Sequence, residues 1–264
     1  MKDEINFTKM NKEILDTENT NYFTKQKYLI LSELSALKED WKWSILVVMI
    51  APICQLFFLS FFVNRSQADV LYYIISGSIV TSLVMGTMLT LGQELGVLKE
   101  VRGFDYYSVL PIKKISIIIS IVTRATLSII PSIIVMIIIG IVYFQMPFSF
   151  NVSLILVVVI SGYSLSAVGA FIGMYARDSS QASLLTQIIQ PIMIYLFPVF
   201  YPINVLPTFL RWISYISPTT YVSSALRKSF IGEFDSISLI ILSIFCLLSI
   251  ILVEKKFDWR GYGE

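Results

Sequence analysis

The chain has 264 residues, 56% of them hydrophobic and 14% charged, with a mean hydropathy of +0.75. Soluble domains run about 45–50% apolar and about 25% charged, so this composition excludes a disordered chain, a nucleic-acid-binding domain and a conventional soluble enzyme, and it points to a bilayer as solvent. The net charge of +2 says little as a total, whereas the absence of histidine excludes a His-based triad, a His-ligated metal site and a His general base.

The opening MKDEINFTKMNKEILDTENT is polar and mixed in charge, and lacks the apolar stretch and cleavage site of a signal peptide. Residues 1–25 are therefore expected to form a polar tail. Residues 26–43 follow with Ile30, Leu34, Leu37 and Trp41 at helical spacing, and with Glu33, Lys38, Glu39, Asp40 and Lys42 as the polar remainder. This pattern predicts an amphipathic helix lying along the membrane face, its tryptophans at headgroup level.

Six apolar runs approach the length of about 20 residues that a transmembrane helix needs. They are Ser44–Val63, Val70–Gly92, Ile115–Phe144, Val152–Ala176, Ala182–Ile203 and Ile237–Val253. Helices are expected because lipid offers backbone groups no outside partner. With six spans both termini share one side, and fifteen of the twenty Lys and Arg residues fall on that side against four on the other. The bias predicts cytoplasmic termini, with 256–264 as a cytoplasmic tail.

The loop 93–114 carries Gly96, Gly103 and Pro111 around the short amphipathic turn Val97-Leu98-Lys99-Glu100-Val101-Arg102. The third run is long and contains Arg124, ten residues after Lys114 and so about 15 Å along a helix. Arg124 either snorkels to the inner interface or faces a polar cavity or partner subunit. Gly169 and Gly173 form a GxxxG pair, more often a packing contact within one bundle than a dimer seam. From Pro198 to Pro218 lie four of the nine prolines, in text that stays apolar and aromatic. Proline-broken apolar sequence predicts an external hairpin of two short helices over 204–231, with Ser217-Pro218 opening the second.

Two absences frame the function. No GxxxxGK[ST] phosphate cradle occurs, and the six assigned runs contain no Asp or Glu. A bundle of this kind has no visible energy source or ion path of its own. The two cysteines, Cys54 and Cys246, both lie in apolar runs and suggest neither a disulfide framework nor a metal cluster.

Three stretches resemble the membrane (permease) subunit of a type-2 ATP-binding-cassette exporter of the drug-export branch. The amphipathic helix before a first span with central Pro52 resembles the family's connecting helix. Glu94-Leu-Gly96-Val-Leu98-Lys-Glu100, followed by Leu110-Pro111, resembles its coupling loop. Phe200-Tyr-Pro202-Ile-Asn-Val-Leu206-Pro207, then Leu210-Arg211-Trp212, Ser217-Pro218-x-x-Tyr221 and Ala225-Leu226, resembles its external re-entrant hairpin. One departure is that Leu196 and Phe197 stand where the family often has Ser-Gly.

The resemblance implies an all-α membrane protein of six spans in the plasma membrane. It also implies a separate ABC ATPase subunit in two copies, holding ATP and Mg, and a second permease subunit, identical or homologous. This chain itself would hold no cofactor or metal and carry no enzymatic activity. Coupling to the ATPase would fall on Glu94, Gly96, Val97, Leu98, Lys99, Glu100, Arg102 and Gly103, with Arg177 and Asp178 as a smaller contact. The substrate path would be lined by Ser78, Thr81, Ser82, Met85 and Met88 in span two and by Thr186, Gln187, Gln190, Tyr195 and Phe197 in span five. An amphipathic drug, antibiotic, peptide or lipid-like cargo fits the drug branch. A lipid-linked glycan is the alternative cargo, and a non-transport scaffold or intramembrane enzyme the alternative of another class.

Overall fold

In a computed structural model the described residues are 22–61, 68–108 and 112–256, and among them every regular element is helical. The helices are α1 (Tyr22–Ser60), α2 (Ala68–Leu83), α3 (Thr90–Glu100), α4 (Gly103–Ser108), α5 (Lys114–Val142), α6 (Val152–Tyr175), α7 (Ser179–Pro191), α8 (Thr208–Ser214), α9 (Pro218–Phe230) and α10 (Ser236–Lys256). A π-helical turn, Val84–Leu89, joins α2 to α3, and a second, Ile192–Leu196, continues α7. Among the described residues three segments are long and apolar enough to cross a membrane: Val70–Glu100, Lys114–Val142 and Val152–Tyr175. Val48–Ser60 and Ser236–Leu248 are shorter apolar helices.

Several predicted boundaries move. The amphipathic helix and the first span form one helix of 39 residues, because nothing between 26 and 60 except Pro52 interrupts the helical pattern. That helix begins at Tyr22, so residues 22–25 do not belong to a tail; residues 1–21 and 257–264 lie outside the described part. The second span does not end at Gly92 but runs on to Glu100, so the first third of the expected loop 93–114 is helix. The fifth run begins earlier, at Ser179, and its helix stops at Leu196 rather than Ile203. There Phe197 turns extended, and the Tyr201 hydroxyl donates to the carbonyls of Tyr195 and Leu196, satisfying acceptors that the broken helix would leave orphaned.

The core follows from close helix approach. α1 lies along α5, α6 packs against α10, and α3 packs against α6 and α7. Gly169 and Gly173 make the α3–α6 approach possible. A Cβ on Gly169 would overlap the Met88 carbonyl, and one on Gly173 would stand 2.8 Å from the Gly92 oxygen. The GxxxG pair is thus a packing face within one chain. The main core gathers Leu56, Ile75, Ile79, Met88, Ile129, Leu165 and Phe230. A smaller cluster at one end joins Leu91, Leu95, Ile121 and Phe104, and Phe104 is the anchor that pins α4 to the bundle.

The predicted hairpin is two short helices, α8 and α9, with Pro218 at the first position of α9. Thr220 Oγ1 donates to the Ser214 carbonyl at 2.7 Å and the Tyr221 hydroxyl to the Tyr215 carbonyl at 2.7 Å, which stitches the turn. Arg211 Nη2 donates to the carbonyls of Asn204 (3.0 Å) and Leu206 (3.3 Å), and Pro202 and Pro207 stand at the helix starts where their missing N–H costs nothing. Trp212 is left 71% exposed.

Candidate functional site

The end of the bundle that carries the start of α1, the end of α3, α4, the start of α5 and the start of α7 holds most of the charged contacts. Arg124 on α5 is at its centre. Its Nε lies 3.0 Å from Glu33 Oε2 on α1, and its Nη2 donates to Glu94 Oε2 on α3. The three side chains are only 19–28% exposed. One guanidinium thus clamps two carboxylates from two other helices. The sequence offered snorkelling or a cross-subunit pair for Arg124; the structure gives a pair within the chain, and it brings in Glu33, which local periodicity had placed among the polar residues of an amphipathic face.

The electrostatics of this cluster are unbalanced, with two acids for one base. Burial raises the Glu33 carboxyl above its ordinary 4.5, and Arg124 opposes this without cancelling it. Tyr107 of α4 faces the same cluster; burial first, then Glu33 and Glu94, push its phenol upward. Nearby, Gln26 Nε2 donates to the Ser116 carbonyl (3.2 Å) and to Ser120 Oγ (3.1 Å), which fixes α1 along α5. Ile30 and Leu34 are half-buried on this helix, while the side chains of Leu37 and Trp41 lie outside the described residues.

Beside the cluster, the two segments expected to touch a motor are joined to each other. Lys99 Nζ donates to the carbonyls of Met174 and Ala176 (2.8 Å to the latter), capping the C-terminus of α6. Glu100 accepts from the Ser179 hydroxyl and, at 3.4 Å, from its backbone N–H. Asp178 is the N-cap of α7, accepting from Gln181 N at 2.7 Å, while Gln181 Oε1 accepts from Arg177 N at 2.7 Å. The D-S-S-Q spacing was a legible capping signal. Gly96 permits close packing, since its Cβ would stand 3.2 Å from Ser179 Cα.

The residues named for coupling therefore divide by chemistry. Glu94, Gly96, Lys99, Glu100 and Asp178 serve contacts inside the chain, and Leu98 is half-buried against Gly103. Val97, Arg102 and Arg177 point outward, joined by Val101, Asp105 and Tyr106. Val101 (66% exposed) and Tyr106 (64%) add exposed apolar surface that the sequence had not singled out. The turn between α3 and α4 is made by Arg102 in the left-handed region, at φ 52. Such a conformation costs a side-chain-bearing residue about 1 kcal/mol relative to glycine. Arg102→Gly is therefore expected to raise thermal stability slightly while removing the outward charge, as read by unfolding of the purified protein in detergent.

The residues named for a substrate path separate as well. Ser78, Thr81, Ser82, Met88, Thr186 and Phe197 are buried in the interior of the single chain. Their hydroxyls are satisfied there: Ser78 by the Ile74 carbonyl (2.9 Å), Thr81 by that of Gly77 (3.0 Å), Thr186 by that of Ala182 (2.8 Å), and Ser82 by Ser132 (2.9 Å). Met85 and Gln190 are half-buried, and Gln187 and Tyr195 lie on an exposed face of α7. Tyr195 reaches α1, its hydroxyl accepting from Gln55 Nε2 at 3.1 Å.

Long apolar helices, with a proline-broken hairpin before the last helix, define an all-helical membrane protein. A model of the ABC-2 type transporter family matches residues 25–231. The chain belongs to that family and is a permease of an ABC transporter. A search of curated proteins finds none that matches it.

Proposed function

We propose that this chain is the membrane subunit of an exporter driven by ATP hydrolysis on a separate ABC ATPase subunit, with two copies of each type in the working complex. The reading takes α1, the α2–α3 rod, α5, α6, α7 with its hairpin, and α10 as six spans, with the Arg124 end in the cytoplasm of a plasma-membrane protein. The observation that carries it is the composite face made by α3, α4 and the start of α7, tied together by Glu100 and Ser179. Its exposed Val97, Val101 and Tyr106, with the exposed Arg102, Asp105 and Arg177 on the same segments, have the character of a short helix that seats in a cleft of a partner domain.

Motion of that face has a route into the bundle. Glu94 and Lys99 are on the same helix, so a displacement of α3 reaches Arg124 and through it Glu33 on α1. ATP binding to the motor would then favour one of two arrangements of the bundle. The π-helical turns support this, since each carries one residue more than an α-turn and can pass its register shift along the helix. They fall in both spans expected to line the path. The exposed face of α7 with Gln187 and Tyr195, beside Gln55 of α1, would meet the second permease subunit or the cargo, an amphipathic drug, antibiotic, peptide or lipid-like molecule.

Val101→Asp tests the docking face. The variant is expected to fold with an unchanged melting temperature, since Val101 is exposed, and to lose most co-purification with the ATPase subunit and its stimulation of ATP hydrolysis. Wild-type stimulation by this variant contradicts the assignment.

A further inference from the structure

The opposite end of the bundle holds a cavity of about 510 Å³ between the hairpin, the start of α2 and the start of α10. Two basic residues and one acid line it: Arg227, Lys228 and Asp235. Asp235 is already engaged. Burial works against its ionisation, but Ser238 Oγ (2.7 Å), Lys228 Nζ (3.1 Å) and Ser224 Oγ (3.1 Å) override that and hold the carboxyl below its ordinary value. Lys228 thereby has its counter-ion.

Arg227 does not. Its guanidinium stacks on the Tyr73 ring, 4.3 Å from the centroid, and its two hydrogen bonds go to neutral acceptors, the Val199 carbonyl and Ser223 Oγ, each at a long 3.3 Å. Among the described residues no carboxylate forms an ion pair with it. Burial pulls its pKa down to about 10, so it stays charged at neutral pH. Arg124, by contrast, has two carboxylates. A half-buried guanidinium held by neutral groups is costly to leave without an anion, and its planar fork matches the paired oxygens of a phosphate. The cavity has room for such a group beside the tyrosine rings of Tyr73, Tyr215 and Tyr221. The hairpin next to it presents Val205, Phe209, Trp212 and Ile216, each more than 70% exposed, as a surface suited to the interfacial depth where lipid phosphates lie.

We propose that this cavity binds a phosphate group, with Arg227 as its principal ligand and Lys228 at its rim. The site is separate from the ATPase-facing end, and the proposal stands without the export reading. A lipid headgroup and a free phosphate compound share this chemistry, and the test separates them.

The full-length protein, purified in a neutral detergent, is titrated with phosphatidylglycerol and examined by native mass spectrometry. One lipid is expected to remain bound per chain, with retention weakened about tenfold or more in Arg227→Gln. Lys113→Gln, at the other end, is the control and keeps wild-type retention. In parallel, thermal unfolding is followed in sodium phosphate against sodium chloride at matched ionic strength. Arg227-dependent lipid retention identifies a lipid headgroup. An Arg227-dependent upward shift in phosphate without lipid retention identifies a soluble phosphate compound. If Arg227→Gln fails to fold, Arg227→Lys carries the comparison: it keeps the charge, loses the fork and the tyrosine stack, and is expected to bind several-fold more weakly. Equal behaviour of the wild type and the folded Arg227 variant in both assays overturns the proposal.

Discussion

Arg124→Gln is expected to lower the stability of the purified protein by about 2–4 kcal/mol, the largest loss among single substitutions at the charged end. The variant leaves Glu33 and Glu94 sharing a half-buried space without a cation. Removing one partner of a buried pair costs about 3–5 kcal/mol in a fully dry site, and the partial exposure here reduces that. Adding Glu33→Gln to Arg124→Gln should recover part of the loss, because one uncompensated charge is then neutral. The single Glu33→Gln variant should be mild, since the Arg124–Glu94 pair survives. Its pH profile also carries a sign. A carboxyl whose folded value is raised contributes stability that is fully present below its ordinary 4.5 and is lost as pH rises through the folded value. Glu33→Gln should therefore flatten the decline of the melting temperature from acid toward neutral pH. Melting of Arg124→Gln at the wild-type temperature would mean that the cluster is solvated and bears no load.

Gly169→Val is expected to be as damaging for a steric reason. Even a Cβ at this position overlaps the Met88 carbonyl and comes within 3.1 Å of Met88 Cα, and backbone cannot step aside as a side chain can. Overpacking in a core costs about 1–3 kcal/mol, and a clash against backbone belongs at or above the top of that range. Gly173→Val meets Leu95 Cβ at 2.7 Å and the Gly92 oxygen at 2.8 Å, so it should behave alike. Thermal unfolding and gel filtration separate this from the alternative. Loss of stability at constant particle size supports packing within the chain. Unchanged melting with a smaller particle would instead make the GxxxG face a seam between subunits.

Parts of this molecule are legible in the sequence for physical reasons. Continuous apolar runs announce α5 and α6 within a residue or two, because lipid demands an uninterrupted helix. Prolines at 202, 207 and 218 announce the hairpin helices, because the cap and first-turn positions of a helix need no N–H from proline. The end of the second span was misplaced by a polarity change. Glu94 looked like the start of a loop, yet the Arg124 guanidinium on α5, 30 residues away, pairs with it, so α3 continues. No local period encodes such a pairing. Lys99 and Asp178, expected at the ATPase contact, each support a helix end within the chain. Gly96 likewise packs against Ser179 and Ala182, so its replacement would disturb the fold and cannot isolate coupling. Neither π-helical turn has a sequence signal of its own beyond Gly86 inside the first and Pro191 before the second.

On this reading the face around Val101 presses on a partner ATPase. A photo-crosslinking residue placed at position 101, in cells that co-express the ATPase subunit, tests it most directly. The same residue at position 209, exposed on the hairpin at the other end, is the comparison. A crosslink to the ATPase subunit is expected from 101 and none from 209. A crosslink from 209 with none from 101 would contradict both the docking face and the orientation of the bundle.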